Sequence, residues 1–181
     1  MSLIRTAAIL LSVLLVTACA QTEPQPTTIN GIRVIAESEA NAVRTVHVDQ
    51  INAFRASQGL QPVNLSARLT AAAATHARDM SVQQRAWHFG SDGTSPGDRA
   101  IRAGFNGTVL GENISESFDD EFAVFQSWLE DPITRRVMLE ADADRLGIAW
   151  FQEDNGKLWW VQILGRSAPL VASAAPFEPA L

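Results

Sequence analysis

The chain predicts an α+β domain, with helices first and a small antiparallel sheet last, on three observations. Two segments of its first half carry apolar residues at helical spacing, a glycine-rich stretch follows, and a turn tripeptide separates two apolar runs near the end. Residues 37–58 form the first predicted helix, because Val43, His47, Ile51 and Phe54 fall at steps of four, four and three. Gly59 stops it and Pro62 prevents immediate continuation. Ser66 is a suitable N-cap for a second helix reaching about Gln84, whose stripe of Leu69, Ala73, His76 and Met80 lies beside alanines that allow close packing. From 85 to 111 the period vanishes, and Gly90, Gly93, Pro96, Gly97, Gly104 and Gly107 mark an irregular stretch long enough to be functional. Helical spacing returns over 119–130 with Phe122, Phe125 and Leu129, its acidic start suiting the helix dipole. Asp131-Pro132 then caps and opens a short fourth helix. Residues 146–151 and 158–164 are strand-like, and Asp154-Asn155-Gly156 between them tolerates the positive φ of a tight hairpin.

Composition narrows the class of protein. A chain of 181 residues with 46% hydrophobic and 19% charged residues, five Trp and a net charge of −6 fits one soluble domain and excludes disorder. Lys157 is the only lysine and the arginines are scattered, so no basic face is available to neutralise phosphates, and nucleic acid is excluded as the main partner. No internal repeat is visible.

The N-terminus is an address. Arg5 precedes an apolar run over 7–16, far below the roughly 20 residues of a membrane-spanning helix. Val16-Thr17-Ala18-Cys19 follows directly and resembles the bacterial lipobox, in which the Cys thiol takes a diacylglycerol and becomes the new N-terminus. Cys19 is the only cysteine, so in an exported chain it has no disulfide partner, which agrees with lipidation. The expected organisation is a lipoprotein signal peptide over 1–18, lipidated Cys19 with a flexible tether to 36, a globular domain over 37–166 and a disordered tail over 167–181. The membrane is thus an expected partner through Cys19. Ala20 is not the Asp that marks inner-membrane retention in known lipoproteins, so the expected location is the outer membrane, facing the periplasm.

Three histidines limit any imidazole chemistry to His47, His76 and His88. His47 and His76 lie on apolar helical stripes, where packed, hydrogen-bonded structural roles are expected. His88 lies in the irregular stretch between Trp87 and Phe89, two rings that can wall a pocket. Glu112 follows a glycine in Gly111-Glu112-Asn113-Ile114. An imidazole and a carboxylate brought together can pass a proton or hold a metal from two sides. They can equally be a loop histidine hydrogen-bonded to a buried glutamate that pins the fold.

The order of motifs resembles the CAP superfamily, the SCP-like domain of cysteine-rich secretory and pathogenesis-related proteins, in a disulfide-free bacterial form. The resemblance rests on Asn52-Ala53-Phe54-Arg55, Gly59-Leu60, the run from Leu69 to Met80, His88 with Asp92-Gly93, Gly111-Glu112-Asn113-Ile114, Trp128, Pro132, Gly147-Ile148 and Trp160-Val161-Gln162. It implies a three-layer α-β-α sandwich with a surface cleft that in many members holds two His and two acids able to bind a divalent metal. His88 matches the first cleft His, Glu112 the first acid and Asp131 the second. Thr134 stands where the second His is expected, and a neutral hydroxyl is a poor zinc ligand, so zinc affinity at His88 and Glu112 should fall steeply even if Asp131 or Glu116 compensates.

Function is accordingly expected to be binding: a lipid, peptide or glycan (cell-wall) fragment in a cleft built from His88, Glu112, Trp87, Phe89, Asp131 and Thr134. The alternatives are a metal-assisted, protease-like hydrolase with His88 and Glu112 as catalytic residues and water as nucleophile, or a non-catalytic structural or interaction lipoprotein. The missing His weighs against an enzyme.

Overall fold

The computed structural model describes residues 27–169. The expected signal peptide, Cys19 and most of the expected C-terminal tail lie outside the described residues. A small hairpin, β1 (Thr28–Ile29) with β2 (Ile32–Arg33), leads through a 3-10 turn into α1 (Ala40–Ser57). There follow β3 (Asn64–Leu65), α2 (Ala67–Gln83), α3 (Pro96–Arg102), β4 (Gly107–Glu116), α4 (Glu121–Glu130), α5 (Pro132–Met138), β5 (Arg145–Gln152) and β6 (Leu158–Ser167). The main sheet has the order β3-β5-β6-β4, with β3 parallel to β5 and the remaining pairs antiparallel. No helix of the described residues is long and apolar enough to cross a membrane.

The sheet is the middle of three layers because its long strands are apolar on both faces. Along β6, Leu158, Trp160 and Leu164 join one core with Val43 and Ile51 of α1 and Val124 and Trp128 of α4. Trp159, Val161 and Ile163 join the other with Leu69, Ala73, Ala77 and Met80 of α2 and Ala100 of α3. Period-two alternation thus sorts one strand between two helical layers. The α2 alanines let the helix lie close to β5, and Gly147 completes the fit. A Cβ there would stand 2.3 Å from the Leu69 carbonyl carbon and 2.5 Å from the Thr70 nitrogen, both backbone atoms that cannot swing aside.

Helix boundaries follow their caps. Ser66 Oγ accepts from Leu69 N, Asp120 from Ala123 N and Asp131 from Ile133 N, so the N-terminal signals act where the sequence puts them. Two elements in the stretch read as irregular were not foreseen. Ser95-Pro96-Gly97-Asp98 is a capping box with Pro at the helix start, and it opens α3. Beyond Gly107 the chain becomes β4, which pairs with β6 along its length around an irregularity between Val109 and Gly111.

Both expected ends of the domain are corrected. The tether does not extend to 36, because Val34 N donates to Thr27 O at 2.7 Å, Asn30 Nδ2 to Asn155 O at 3.0 Å, and Ile35 is buried. Ser167 is the last residue of β6, and Ala168 N donates to Asn106 O, so neither belongs to a disordered tail.

His47 is fully buried between Phe125 and Trp128, with Nε2 2.7 Å from Gln162 Oε1. Burial pushes its pKa from 6.5 down to about 4, against the opposing pull of the Gln162 hydrogen bond. The unfolded chain therefore takes up a proton near pH 6.5 that the folded chain refuses until about pH 4. The stability owed to neutral His47 is complete above the upper value and is lost as pH falls through this window, about 3 kcal/mol in all. Urea unfolding at pH 7 and pH 4 is expected to show this loss, and His47→Gln is expected to flatten it. Gly147→Ala is expected to cost about 1–3 kcal/mol in the same assay, because α2 must move off the sheet.

Candidate functional site

Glu112 lies in the middle of β4, opposite Ile163 of β6, and its side chain points toward the α2–α3 layer. That carboxylate is only 2% exposed, and three side chains from separate elements surround it. Arg99 of α3 donates from one terminal guanidinium nitrogen to Glu112 Oε2 at 2.7 Å. His88, on the loop after α2, has Nδ1 2.9 Å from Oε1, and His76 of α2 has Nε2 3.9 Å from the same oxygen. A carboxylate paired with Arg99 can only accept, so His88 donates from Nδ1. In its neutral form His88 then carries its lone pair on Nε2, and its side chain is 54% exposed.

Two of these groups also grip the loop that carries His88. His76 Nε2 donates to Trp87 O at 2.9 Å, while the other terminal nitrogen of Arg99 donates to His88 O at 3.1 Å and Thr94 O at 2.9 Å. With Nε2 donating to a carbonyl, Nδ1 of neutral His76 carries the lone pair, and it is buried without a partner. Burial pushes the His76 pKa below its ordinary value, against the attraction of Glu112. His76 and Arg99 thus hold consecutive carbonyls, 87 and 88, over the carboxylate that receives the imidazole.

The expected site residues divide into two groups. His88 and Glu112 meet, and Trp87 and Phe89, the chain neighbours of His88, pack on each other with ring centroids 5.4 Å apart. Asp131 and Thr134 do not join them. Asn113, next along the strand, faces the other side of β4, where its Nδ2 donates to Thr134 O at 2.9 Å. Thr134 Oγ1 bonds Trp128 O, and Asp131 is spent capping α5. Glu116, the other proposed compensating acid, pairs with Lys157 at 2.6 Å.

The hollow beside the pair is also placed differently from the expected aromatic-walled cleft. An open groove of about 410 Å³ runs between α3 and β4 past Pro96, Ile101 and Val109 and ends at Glu112. A second hollow of about 370 Å³ lies between α2 and α3, bordered by Thr75, Asp79, Ser91, Arg99 and Arg102.

The residues do not fit a metal ion. Both Glu112 oxygens are engaged, one by a guanidinium at 2.7 Å whose charge opposes a cation at the same place. Among the described residues no three His, Cys, Asp or Glu side chains converge as ligands. The second acid and Thr134 stand on the wrong face of the strand to complete a set.

Arg99 is the site residue that sequence reasoning missed. The capping box over 95–98 was a readable sign of a helix there, and a helix begun at that point aims Arg99 at β4.

Comparison with known proteins agrees with this fold. The profile of the CAP family, described as the cysteine-rich secretory protein family, matches residues 48–164, and the chain belongs to that family. The uncharacterised protein YkwD of Bacillus subtilis is 25% identical over 131 residues, 72% of this chain and 50% of that one. An extracellular SCP-domain protein of Bacillus anthracis superimposes with a TM-score of 0.66 at 21% identity, over 74% of this chain and 45% of its own. An outer surface protein of Borrelia burgdorferi gives 0.64 at 17% identity, over 75% of this chain and 97% of its own. The chain therefore spans about half the length of the two Bacillus proteins.

Removing Arg99 tests the hub. Arg99→Met leaves a buried carboxylate without its cation and is expected to cost about 3–5 kcal/mol in urea unfolding. Arg99→Met with Glu112→Leu, which removes both charges, is expected to recover much of that loss.

Proposed function

We propose that this chain is an envelope lipoprotein, anchored through acylated Cys19, whose CAP domain binds a small amphiphile at His88. The observation that carries the reading is the half-exposed imidazole of His88, held through Nδ1 by Glu112, which also borders an apolar groove. A ligand with an apolar part lies along Pro96, Ile101 and Val109 and presents a hydroxyl or amide donor to Nε2. Lipids, short peptides and glycan fragments bearing an apolar group all meet that description. The exported nature of the Bacillus anthracis and Borrelia relatives supports an envelope location, and the run before Cys19 supports the anchor.

Hydrolysis is a second reading, favoured by one observation: a carboxylate behind Nδ1 orients Nε2 to take a proton from water. Ser91, the nearest hydroxyl along the chain, gives its proton to Asp79 Oδ1 at 2.6 Å, so no side-chain nucleophile is supplied there.

Titration of the non-acylated chain from Ala20 with fatty acids, lysolipids and muropeptides, followed by tryptophan emission, tests the proposal. Saturable binding is expected for at least one class, weakened about three- to tenfold by His88→Ala, the worth of one hydrogen bond. No response to any class would overturn it, and product formation that depends on His88 would establish the second reading.

A further inference from the structure

We propose that the domain rests on the bilayer with one end, at the rim formed by Val82, Arg85, Trp87 and Phe89. This rests on the acylation of Cys19 proposed above. The first observation is where the chain leaves the fold. Thr27 is tied to Val34, and the β1–β2 hairpin is clamped to the β5–β6 turn by Asn30 on Asn155 and by Gln152, which accepts from Ile35 N and donates to Arg33 O. Glu153 in that turn accepts from Gln84 Nε2 at 2.7 Å, and Gln84 caps the C-terminus of α2. The exit toward Cys19 and the start of the loop after α2 therefore share one end of the molecule, while Glu112, level with Ile163 and Gly147, lies further along the sheet.

The second observation is the length of the connection. Residues 20–26 separate Cys19 from Thr27. Eight steps reach about 27 Å when fully extended and about 16 Å as a coil. A domain of this size has a radius of gyration of about 14 Å and is roughly 37 Å across. The connection is shorter than the domain, so the end that bears Thr27 stays at the bilayer and the end that bears Ser57 stays away from it.

The third observation is what that end exposes. Val82 is 76% and Phe89 49% exposed, two large apolar side chains open to solvent near the end of α2. The Trp87 and Phe89 rings pack at a tilt, with centroids 5.4 Å apart, and the Arg85 guanidinium lies 4.1 Å above the Trp87 ring. Aromatic rings edged by an arginine suit the headgroup layer, where a ring meets acyl chains and a cation meets phosphate. Glu153 and Asp154 stand close by in the turn, so the attraction is apolar insertion more than charge, and the occupant is a lipid surface, not a soluble polyanion.

The test uses the full acylated chain, extracted from bacterial membranes and returned to phosphatidylcholine vesicles. An environment-sensitive fluorophore is attached through Val82→Cys or, as reference, through Ser57→Cys, and quenched by lipids carrying nitroxides near the headgroup. Label at 82 is expected to quench at least about threefold more than label at 57 and to be insensitive to salt. Equal quenching in a chain that floats with the vesicles overturns the orientation and leaves the anchor standing. A chain that does not float overturns the anchor and the orientation with it.

Discussion

The buried carboxylate of Glu112 is the constraint on which the site depends. An unpaired charge at 2% exposure would be untenable, so Arg99 must meet it, and to do so α3 must pack between α2 and β4. Once Arg99 is in place its second nitrogen binds the carbonyls of His88 and Thr94, and the loop is drawn onto the strand. His88 then completes the carboxylate from the solvent side. The requirement to neutralise one group therefore sets the position of a helix, a loop and an imidazole together.

The three-layer packing makes that placement reproducible. Gly147 lets α2 settle on β5, and α2 brings His76 to Trp87 O and within 3.9 Å of Glu112. On the opposite face, His47, Gln162 and Asn113 carry a polar seam from α1 to α5 through an otherwise apolar core. Neighbouring residues of one tetrapeptide thus serve different layers: Glu112 faces α3 and Asn113 faces α5. The pleat, not distance along the chain, decides which groups can act as a set.

Much of this was legible beforehand where the physics is local. Ser66, Asp131 and the stripe through Leu69 and Met80 are local signals, and the helices begin and run where they indicate. The Asp154-Asn155-Gly156 turn likewise gives the β5–β6 pair. The stretch over 85–111 was harder, because glycines at 93 and 104 hide a seven-residue helix and a strand whose partner is some fifty residues away. The meeting of His88 and Glu112 came from a resemblance to a family, since no local rule joins positions 24 apart. The grouping of Asp131 and Thr134 with them failed because motif order says nothing about which side of β4 a residue faces. Arg99 was invisible for the same reason: a cation is recognised as a site residue only when the charge it neutralises is known.

What the site offers is a carboxylate whose charge is met from within and an imidazole that remains free outward. Such a pair suits recognition of a donor group or movement of a proton, and it does not suit a divalent ion. The central claim is the direction of the hydrogen on His88, and ring-nitrogen NMR of the histidines at neutral pH reads it directly. The account predicts a protonated Nδ1 and a bare Nε2 on His88, with the reverse on His76. A proton on Nε2 of neutral His88, or rapid averaging of the two tautomers, would contradict it.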